Sequence, residues 1–245
     1  MMRVLVLDGA SAGAQARALI ACVEVTPAAG CRVEQVREVE GRGGSEAFPL
    51  LARELIAACG WSVTTLDMVA VVVGPGSFTG LRASVAFAQG LSLGLGCEVI
   101  GVTTGEAMAD ALRAQAVPPG TRILCCSVAR RGRAFVESIP AGTGRGDIRA
   151  VMLDDPDAIP PGPVLLAGNA ARQVFDACGQ GHDGPGRDDM ILSALTGPDA
   201  CQIVHAALQR REGELPPRDV QPLYVDPPEA RLPAAGLRPP PRRAE

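Results

Sequence analysis

Residues 67–82 read DMVAVVVGPGSFTGLR, an apolar run that leads into a glycine-rich turn. A continuous apolar stretch of this kind is typical of a strand buried on both faces. Gly74 and Gly76 permit positive φ angles and close backbone approach, and the Ser77 hydroxyl can cap a helix that follows. The pattern therefore predicts a buried strand, a tight turn and a helix.

The start of that helix is also a candidate phosphate site, because the first N–H groups of a helix lack intrahelical partners and favour anions. The candidate residues lie in the turn and at the end of the first apolar run, and are Asp8, Gly74, Pro75, Gly76, Ser77, Thr79 and Gly80. A rigid turn with a satisfied cap explains the same residues without a ligand. Both interpretations stay open at this point.

Composition excludes several classes of function. The 245 residues are 47% hydrophobic and 20% charged, with a formal net charge of -4, which excludes a disordered chain and a polybasic nucleic-acid binder. All 23 basic residues are arginine, so a Walker A loop and Schiff-base chemistry have no lysine. The two histidines, His182 and His205, form no paired metal motif, so neither a metal site nor a catalytic residue is assigned.

The eight cysteines contain no CxxC pair and sit mostly in apolar runs, so they are interpreted as small buried hydrophobic residues with reduced thiols. The first apolar run is too short for a secretory signal. No segment approaches the roughly 18 apolar residues that cross a membrane. A cytoplasmic protein without a membrane partner is expected.

The rest of the chain alternates strand and helix patterns, which favours an α/β fold. Strands are predicted at 3–8, 18–25, 31–39, 67–73, 98–102, 122–127, 134–139, 148–153 and 164–168. Helices are predicted at 45–59 with Ser45 as N-cap, 79–95, 104–115, 169–178 and 199–211. We expect an N-terminal lobe over 1–105, a C-terminal lobe over 106–225 and a disordered, proline- and arginine-rich tail over 226–245.

Helix 79–95 is unusually rich in glycine, alanine and serine, which permits close approach of another helix at a cost in helix propensity. Packing on the sheet is the simpler explanation, and a partner helix is the more specific one. For the second explanation the candidate interface joins this helix to helix 45–59, through Phe48, Leu51, Leu55, Leu81, Arg82, Ala83, Val85, Ala86, Gln89 and Gly90.

The loop motif resembles that of the bacterial TsaB family, also called YeaZ. The resemblance rests on VVGPGSFTGLR at 72–82, on AQGLSL at 88–93 and on VIGVTT at 99–104. Weaker similarities are VLVLD at 4–8, the arginine-glycine hairpin at 129–135 and QPLY at 221–224. Together they span about residues 2–225.

The resemblance implies a two-lobed actin/Hsp70-like fold (ASKHA, ribonuclease H-like), with mixed sheets flanked by helices. It implies a non-catalytic subunit that binds TsaD, with TsaE, for threonylcarbamoyl transfer to N6 of the adenosine beside the anticodon in tRNAs that read codons beginning with A. Within that assembly tRNA is a partner only of the complex, and the cofactor expectation is ADP or ATP at the partner interface rather than one of its own. A homodimer in isolation stays open.

The chain departs from the family pattern at Gly9, Gly44, Val128 and Val225-Asp226, and each departure weakens independent nucleotide binding rather than the fold. Two enzymatic alternatives remain. A peptidase would need Ser77 as nucleophile, with a base and an orienting group. An autonomous ATPase would use Asp8 and the loop at 74–80 on phosphate.

Overall fold

The chain is described here from a computed structural model, which covers residues 1–14, 16–41, 43–130, 132–142, 144–155, 158–178 and 187–225. Five strands form the first sheet: β1 (Met2–Asp8), β2 (Arg17–Thr26), β3 (Gly30–Glu40), β4 (Met68–Gly74) and β5 (Glu98–Thr103). Their order is β3-β2-β1-β4-β5. The first three form an antiparallel meander, whereas β4 runs parallel to both β1 and β5.

The second sheet repeats this topology. Its strands are β6 (Arg122–Val128), β7 (Arg133–Ile139), β8 (Ile148–Met152), β9 (Val164–Ala167) and β10 (Met190–Leu192), in the order β10-β9-β6-β7-β8. Again the first three strands are antiparallel and the last two run parallel to the first. The predicted α/β class with two mixed sheets is confirmed.

Helices cover both faces of each sheet. They are α1 (Phe48–Ala58), α2 (Phe78–Leu95), α3 (Thr104–Arg113), α4 (Ala171–Cys178) and α5 (Ala200–Arg211). On the first sheet α1 and α2 share one apolar layer, and α5 packs on the opposite face. On the second sheet α4 covers one face and α3 the other.

Two boundary predictions need correction. The predicted C-terminal lobe, 106–225, does not hold α5, because Ile203, Val204 and Ala207 are buried in the core of the first sheet. One helix over 45–59 capped by Ser45 is also wrong. Gly44–Ala47 form a 3-10 turn, α1 starts at Phe48 with Pro49 in its first turn, and no side chain caps it. A proline in the first turn sacrifices no helical hydrogen bond, which favours this start. The predicted tail, 226–245, lies outside the described residues.

The cysteine prediction is wrong for one pair. Cys31 of β3 and Cys201 of α5 form a disulfide whose Cα atoms are 5.8 Å apart, which ties the edge of the first sheet to the helix that covers it. Cys22, Cys125 and Cys126 are buried and lie outside the disulfide, as predicted. Cys59 and Cys97 are only partly buried.

In the part of the chain that the structure describes, no helix is long and apolar enough to span a bilayer. The cytoplasmic location stays a prediction.

Candidate functional site

The predicted loop joins β4 to α2 and lies directly against the turn that follows β1. The Ser77 N–H donates to the Ala10 carbonyl at 2.7 Å. The Ser77 hydroxyl accepts from the Gly80 N–H at 3.2 Å, which confirms it as the N-cap of α2. The Ser84 hydroxyl, buried one turn later, donates to the Gly80 carbonyl at 2.9 Å. The loop is therefore tied both to α2 and to the first strand.

Two glycines of the loop are required by this contact. A Cβ on Gly80 would collide with the Gly9 carbonyl oxygen, and one on Gly76 would collide with the Ala10 carbonyl oxygen. A Cβ on Gly9 would in turn lie 2.6 Å from the Gly80 oxygen. Because backbone meets backbone, no side-chain rotation relieves these overlaps. The geometry thus supports the rigid-turn interpretation for Gly76 and Gly80, and the phosphate-facing role of the loop stays a prediction.

Asp8 ends β1 beneath this turn and is 8% exposed. Burial raises its pKa to about 6, against the opposing effects of the Ala10 N–H, which donates to Oδ1 at 2.8 Å, and of Arg17. The hydroxyl of Thr79 is placed differently, since that residue is exposed at the start of α2. Asp8 is therefore buried and Thr79 exposed, so the two predicted site residues do not face the same solvent-accessible surface.

Asn169, the residue after Gly168 at the end of β9, connects the two lobes. Its Oδ1 accepts from the Val128 N–H at 2.9 Å, and its Nδ2 donates to the Ser11 hydroxyl at 3.4 Å. Asn169 was not among the predicted site residues. The sequence places Asn169 directly after a glycine at the end of a strand, which is a pattern typical of a turn. Its hydrogen-bond partners lie 41 and 158 positions away in the chain, so this pattern did not predict them.

The residues of the predicted interface fall into a buried group, a half-buried group and an exposed group. Four of its apolar members are core residues, each no more than 2% exposed, and cannot face a partner: Phe48, Leu55, Leu81 and Val85. The physical reason is that the apolar side of an amphipathic helix packs on its own sheet. Leu51 and Ala83 are half-buried, whereas Arg82, Ala86, Gln89 and Gly90 are exposed.

The exposed side of α2 carries a further apolar strip that the sequence prediction missed. Leu93 is 89% exposed, and it lies between Gly90 and Gly94 at helical spacing. Among the residues that the structure describes, a Cβ on either glycine would meet no atom within 4 Å. We refer to Ala86, Gly90, Leu93 and Gly94 as the outer face of α2.

Arg82 and Gln89 are exposed but already engaged within the chain. The Arg82 Nε donates to the Tyr224 hydroxyl at 2.8 Å, and the Gln89 Nε2 donates to the Val220 carbonyl at 2.8 Å. Their predicted place at a partner interface stays a prediction. Both hold the segment that follows α5.

A buried charged network also lies between the lobes. Glu137 of β7 accepts hydrogen bonds from the Thr103 hydroxyl and, at 2.8 Å, from the Gly105 N–H at the start of α3. Nearby Glu106 accepts from Arg210 at 2.6 Å and from Arg218 at 2.9 Å. Burial raises the Glu106 pKa, but the hydrogen bond from Arg210, the charges of Arg210 and Arg218 and the Thr103 N–H outweigh it and hold the pKa below its usual value. The Thr103–Glu106 capping box is visible in the sequence, whereas the partners of Glu137 are not.

The residues that a peptidase needs are not assembled around Ser77. Among the described residues no histidine or carboxylate hydrogen bonds to the Ser77 hydroxyl, and His205 pairs with Asp110 at 3.0 Å on the opposite side of the first sheet from α2. His182 lies outside the described residues. In the same described ranges no cluster of three His, Cys, Asp or Glu side chains could hold a metal.

Comparison with known proteins finds similarity to two related groups. Residues 38–138 match the family described as TsaD, tRNA N6-adenosine threonylcarbamoyltransferase. The Escherichia coli tRNA threonylcarbamoyladenosine biosynthesis protein TsaB is 36% identical over 85 residues, which are 35% of this chain and 36% of that protein. A tRNA N6-adenosine threonylcarbamoyltransferase from Jannaschia is 39% identical over 67 residues, 27% of this chain and 19% of the enzyme. The matched region thus spans about a third or less of these relatives.

Solved structures match over almost the whole chain. YeaZ from Pseudomonas aeruginosa superposes with a TM-score of 0.61 at 20% identity, covering 91% of this chain and all of that one. A Pseudomonas aeruginosa protein described as similar to peptidase YEAZ gives a TM-score of 0.65 at 20% identity over 92% of this chain. The predicted actin/Hsp70-like fold and the resemblance to TsaB are confirmed.

Proposed function

We propose that this TsaB-like chain, which has the fold of the YeaZ structures, is a non-catalytic subunit in tRNA threonylcarbamoyladenosine biosynthesis that docks on a TsaD enzyme through the outer face of α2. The observation that carries the proposal is that face, where two glycines and an exposed leucine stand in open space. TsaE and tRNA would join only in the assembled complex.

The glycines of the outer face support a docking role because no contact among the described residues requires them. Each glycine in a helix interior costs about 1 kcal/mol relative to alanine. At Gly80 that cost accompanies a backbone contact, but at Gly90 and Gly94 no neighbouring atom would oppose a Cβ. A second helix packed against the face would use the space, since small residues let helix backbones approach closely.

The arrangement around Ser77 supports the non-catalytic part of the proposal over a peptidase. Its hydroxyl already serves as an N-cap, and activation of a serine nucleophile needs an adjacent base. An autonomous ATPase is also less well supported, because the backbone of the turn after β1 occupies the space beside Gly76 and Gly80, and because the chain lacks lysine. ADP or ATP at the partner interface, and a homodimer in isolation, stay predictions.

The docking proposal is tested by changing the outer face and titrating the protein into TsaD of the same organism in a calorimeter. We expect Gly90→Ala to stabilise the isolated protein by about 1 kcal/mol through helix propensity. The same variant should bind TsaD more weakly, because the added methyl group enters the helix contact. Ala86→Trp should weaken binding about fivefold or more, the effect of an overpacked contact of about 1–3 kcal/mol.

The matched control is Gly197→Ala, a loop glycine before α5 whose Cβ also meets nothing within 4 Å. It lies next to the helix on the opposite face of the first sheet and should leave the affinity unchanged. Wild-type affinity of both Gly90→Ala and Ala86→Trp would show that the docking face is wrongly placed.

Binding of tRNA gives a second test of the subunit role. Phosphate contacts dominate such binding, and this chain has a formal net charge of -4 and one tryptophan and one tyrosine for base stacking. We therefore expect no specific tRNA binding by the isolated protein at physiological salt, measured by fluorescence anisotropy, and binding once TsaD is added. Tight tRNA binding by the chain alone would contradict this, and Arg130, exposed in the hairpin between β6 and β7, would be the first residue to mutate.

A further inference from the structure

Residues 215–225, which we call the C-terminal strap, pass around the edge of the first sheet from α5 to α2. Leu215 lies in the apolar core beneath α5, and Val220 packs against the layer beneath α1 and α2. Between them the Arg218 guanidinium donates to Glu106 Oε1 at 2.9 Å, with both side chains about 10% exposed or less. The strap is thus anchored on the α5 side by a buried ion pair.

On the α2 side the strap covers the predicted loop from outside. The Leu223 N–H donates to the Val73 carbonyl at 2.8 Å, as one further backbone bond at the end of β4. A Cβ on Gly74 would lie 3.3 Å from the Leu223 Cβ. The loop is therefore held between the β1 turn on one side and the strap on the other.

The end of the strap is fastened to α2 by three exposed side chains. The Arg82 guanidinium lies 3.7 Å from the centre of the Phe78 ring and 5.4 Å from that of Tyr224, and its Nε bonds the Tyr224 hydroxyl. The two rings are 5.7 Å apart and tilted by 49°. Gln89 adds a bond to the Val220 carbonyl two turns along α2.

We propose that Arg82 and Tyr224 are positioning residues, which clamp the strap across the start of α2 and so fix the outer face of that helix in its docking geometry. The inference rests on the proposed function. It explains why two long polar side chains on the exposed side of α2 point to the chain's own strap. A planar guanidinium suits this place because it can stack on both rings and donate along its edge, which an ammonium cannot do.

The clamp makes a small contribution to global stability, since an exposed cation–aromatic contact is weak. Binding is more sensitive, because a mobile strap must be ordered again on docking. Arg82→Ala and Tyr224→Ala should each weaken TsaD binding about tenfold while the melting temperature stays close to that of the wild type. The double variant should bind no more weakly than either single one, because both residues act through the same clamp.

Conservative variants separate the parts of the clamp. Tyr224→Phe keeps the ring and should lose less affinity than Tyr224→Ala, whereas Arg82→Lys keeps the charge and should not restore binding. Tyr224 is the chain's one tyrosine, so a fluorinated tyrosine gives a single fluorine NMR signal from the clamp. That signal should shift and narrow in Arg82→Ala and stay unchanged in Gly197→Ala.

Measuring the TsaD affinity of Ala86→Trp alongside that of the clamp variants separates failure of the clamp from failure of the docking face. If Ala86→Trp weakens binding but Arg82→Ala and Tyr224→Ala bind like the wild type, the clamp is overturned and the docking face stands. If Ala86→Trp and Gly90→Ala both bind like the wild type, the docking face itself is overturned. Additive losses in the double variant would mean separate contacts with the partner and would overturn the clamp, as would tighter binding by Tyr224→Ala, which would mean that docking displaces the strap.

Discussion

Gly80→Ala is expected to lower the free energy of unfolding by about 3 kcal/mol, at the upper end of the cost of overpacking a close contact. The new Cβ would meet the carbonyl oxygen of Gly9, in the turn directly after β1, and the buried strand β1 prevents that turn from moving aside. Alanine favours a helix over glycine, so propensity acts in the opposite direction and steric overlap decides the sign. Urea unfolding followed by circular dichroism measures the change.

The matched control lies in the same helix. Gly94→Ala adds the same methyl group in open space and should raise stability by about 1 kcal/mol through propensity alone. The two substitutions therefore change stability in opposite directions. Equal effects of the two would mean that α2 and the β1 turn are not in backbone contact.

The segment from β4 to α2 could be predicted closely because its signals are local. A continuous apolar run, two glycines and a serine placed the strand, the turn and the N-cap, and α2 starts at Phe78, one residue before its predicted start. Ser45 also precedes a run of apolar residues at helical spacing, yet its side chain does not cap α1. The helix begins three residues later, at Phe48, because Pro49 favours a position in the first turn. Strand β10 was missed, since three residues carry no periodicity.

The candidate interface shows a different limit. Helical periodicity correctly identified the apolar side of α1 and α2, but it does not say what covers that side. In the structure the sheet of the same lobe covers it, so Phe48 and Val85 are core residues. The surface left for a partner consists of residues that periodicity ignores, among them Gly90 and Leu93.

Contacts between distant parts of the chain left no signal in the sequence. The Cys31–Cys201 disulfide joins residues 170 positions apart, and the Arg82–Tyr224 bond joins residues 142 apart. Glu137 belongs to the same class. It sits in a strand of alternating pattern, where a glutamate would be expected to face solvent, yet it is 2% exposed because the start of α3 closes over it.

Stability should fall as the pH rises from about 4.5 to 7, and Glu137 is the main reason. Burial raises its pKa to about 7, and the charge of Glu106 adds to the rise, whereas hydrogen bonds from Thr103 and Gly105 oppose it. In the unfolded chain the same carboxyl titrates near 4.5. Between these values the folded state holds a proton that the unfolded state has lost, so each rise in pH favours unfolding.

The size of the effect follows from the difference between the two pKa values, at 1.36 kcal/mol for each unit, and amounts to about 3 kcal/mol over the whole interval. Glu137→Gln removes the titrating group while keeping the shape, and should flatten the dependence of unfolding free energy on pH. Asp8, whose burial raises its pKa to about 6, contributes in the same direction but at lower pH. Between pH 6 and 7 the titration of Glu137 therefore contributes more to the slope than that of Asp8.

Urea unfolding at half-unit steps from pH 4.5 to 8 measures the slope for the wild type, Glu137→Gln and Asp8→Asn. Glu212→Gln, at an exposed position after α5, is the control for a glutamate substitution outside the buried network. Asp8→Asn should flatten the curve mainly below pH 6 and change the upper interval less than Glu137→Gln does. A Glu137→Gln curve as steep as the wild type between pH 6 and 7 would show that the carboxylate is already ionised when the lobes close over it, held by the hydrogen bonds from Thr103 and Gly105 and by the charge of Arg218 rather than by its proton.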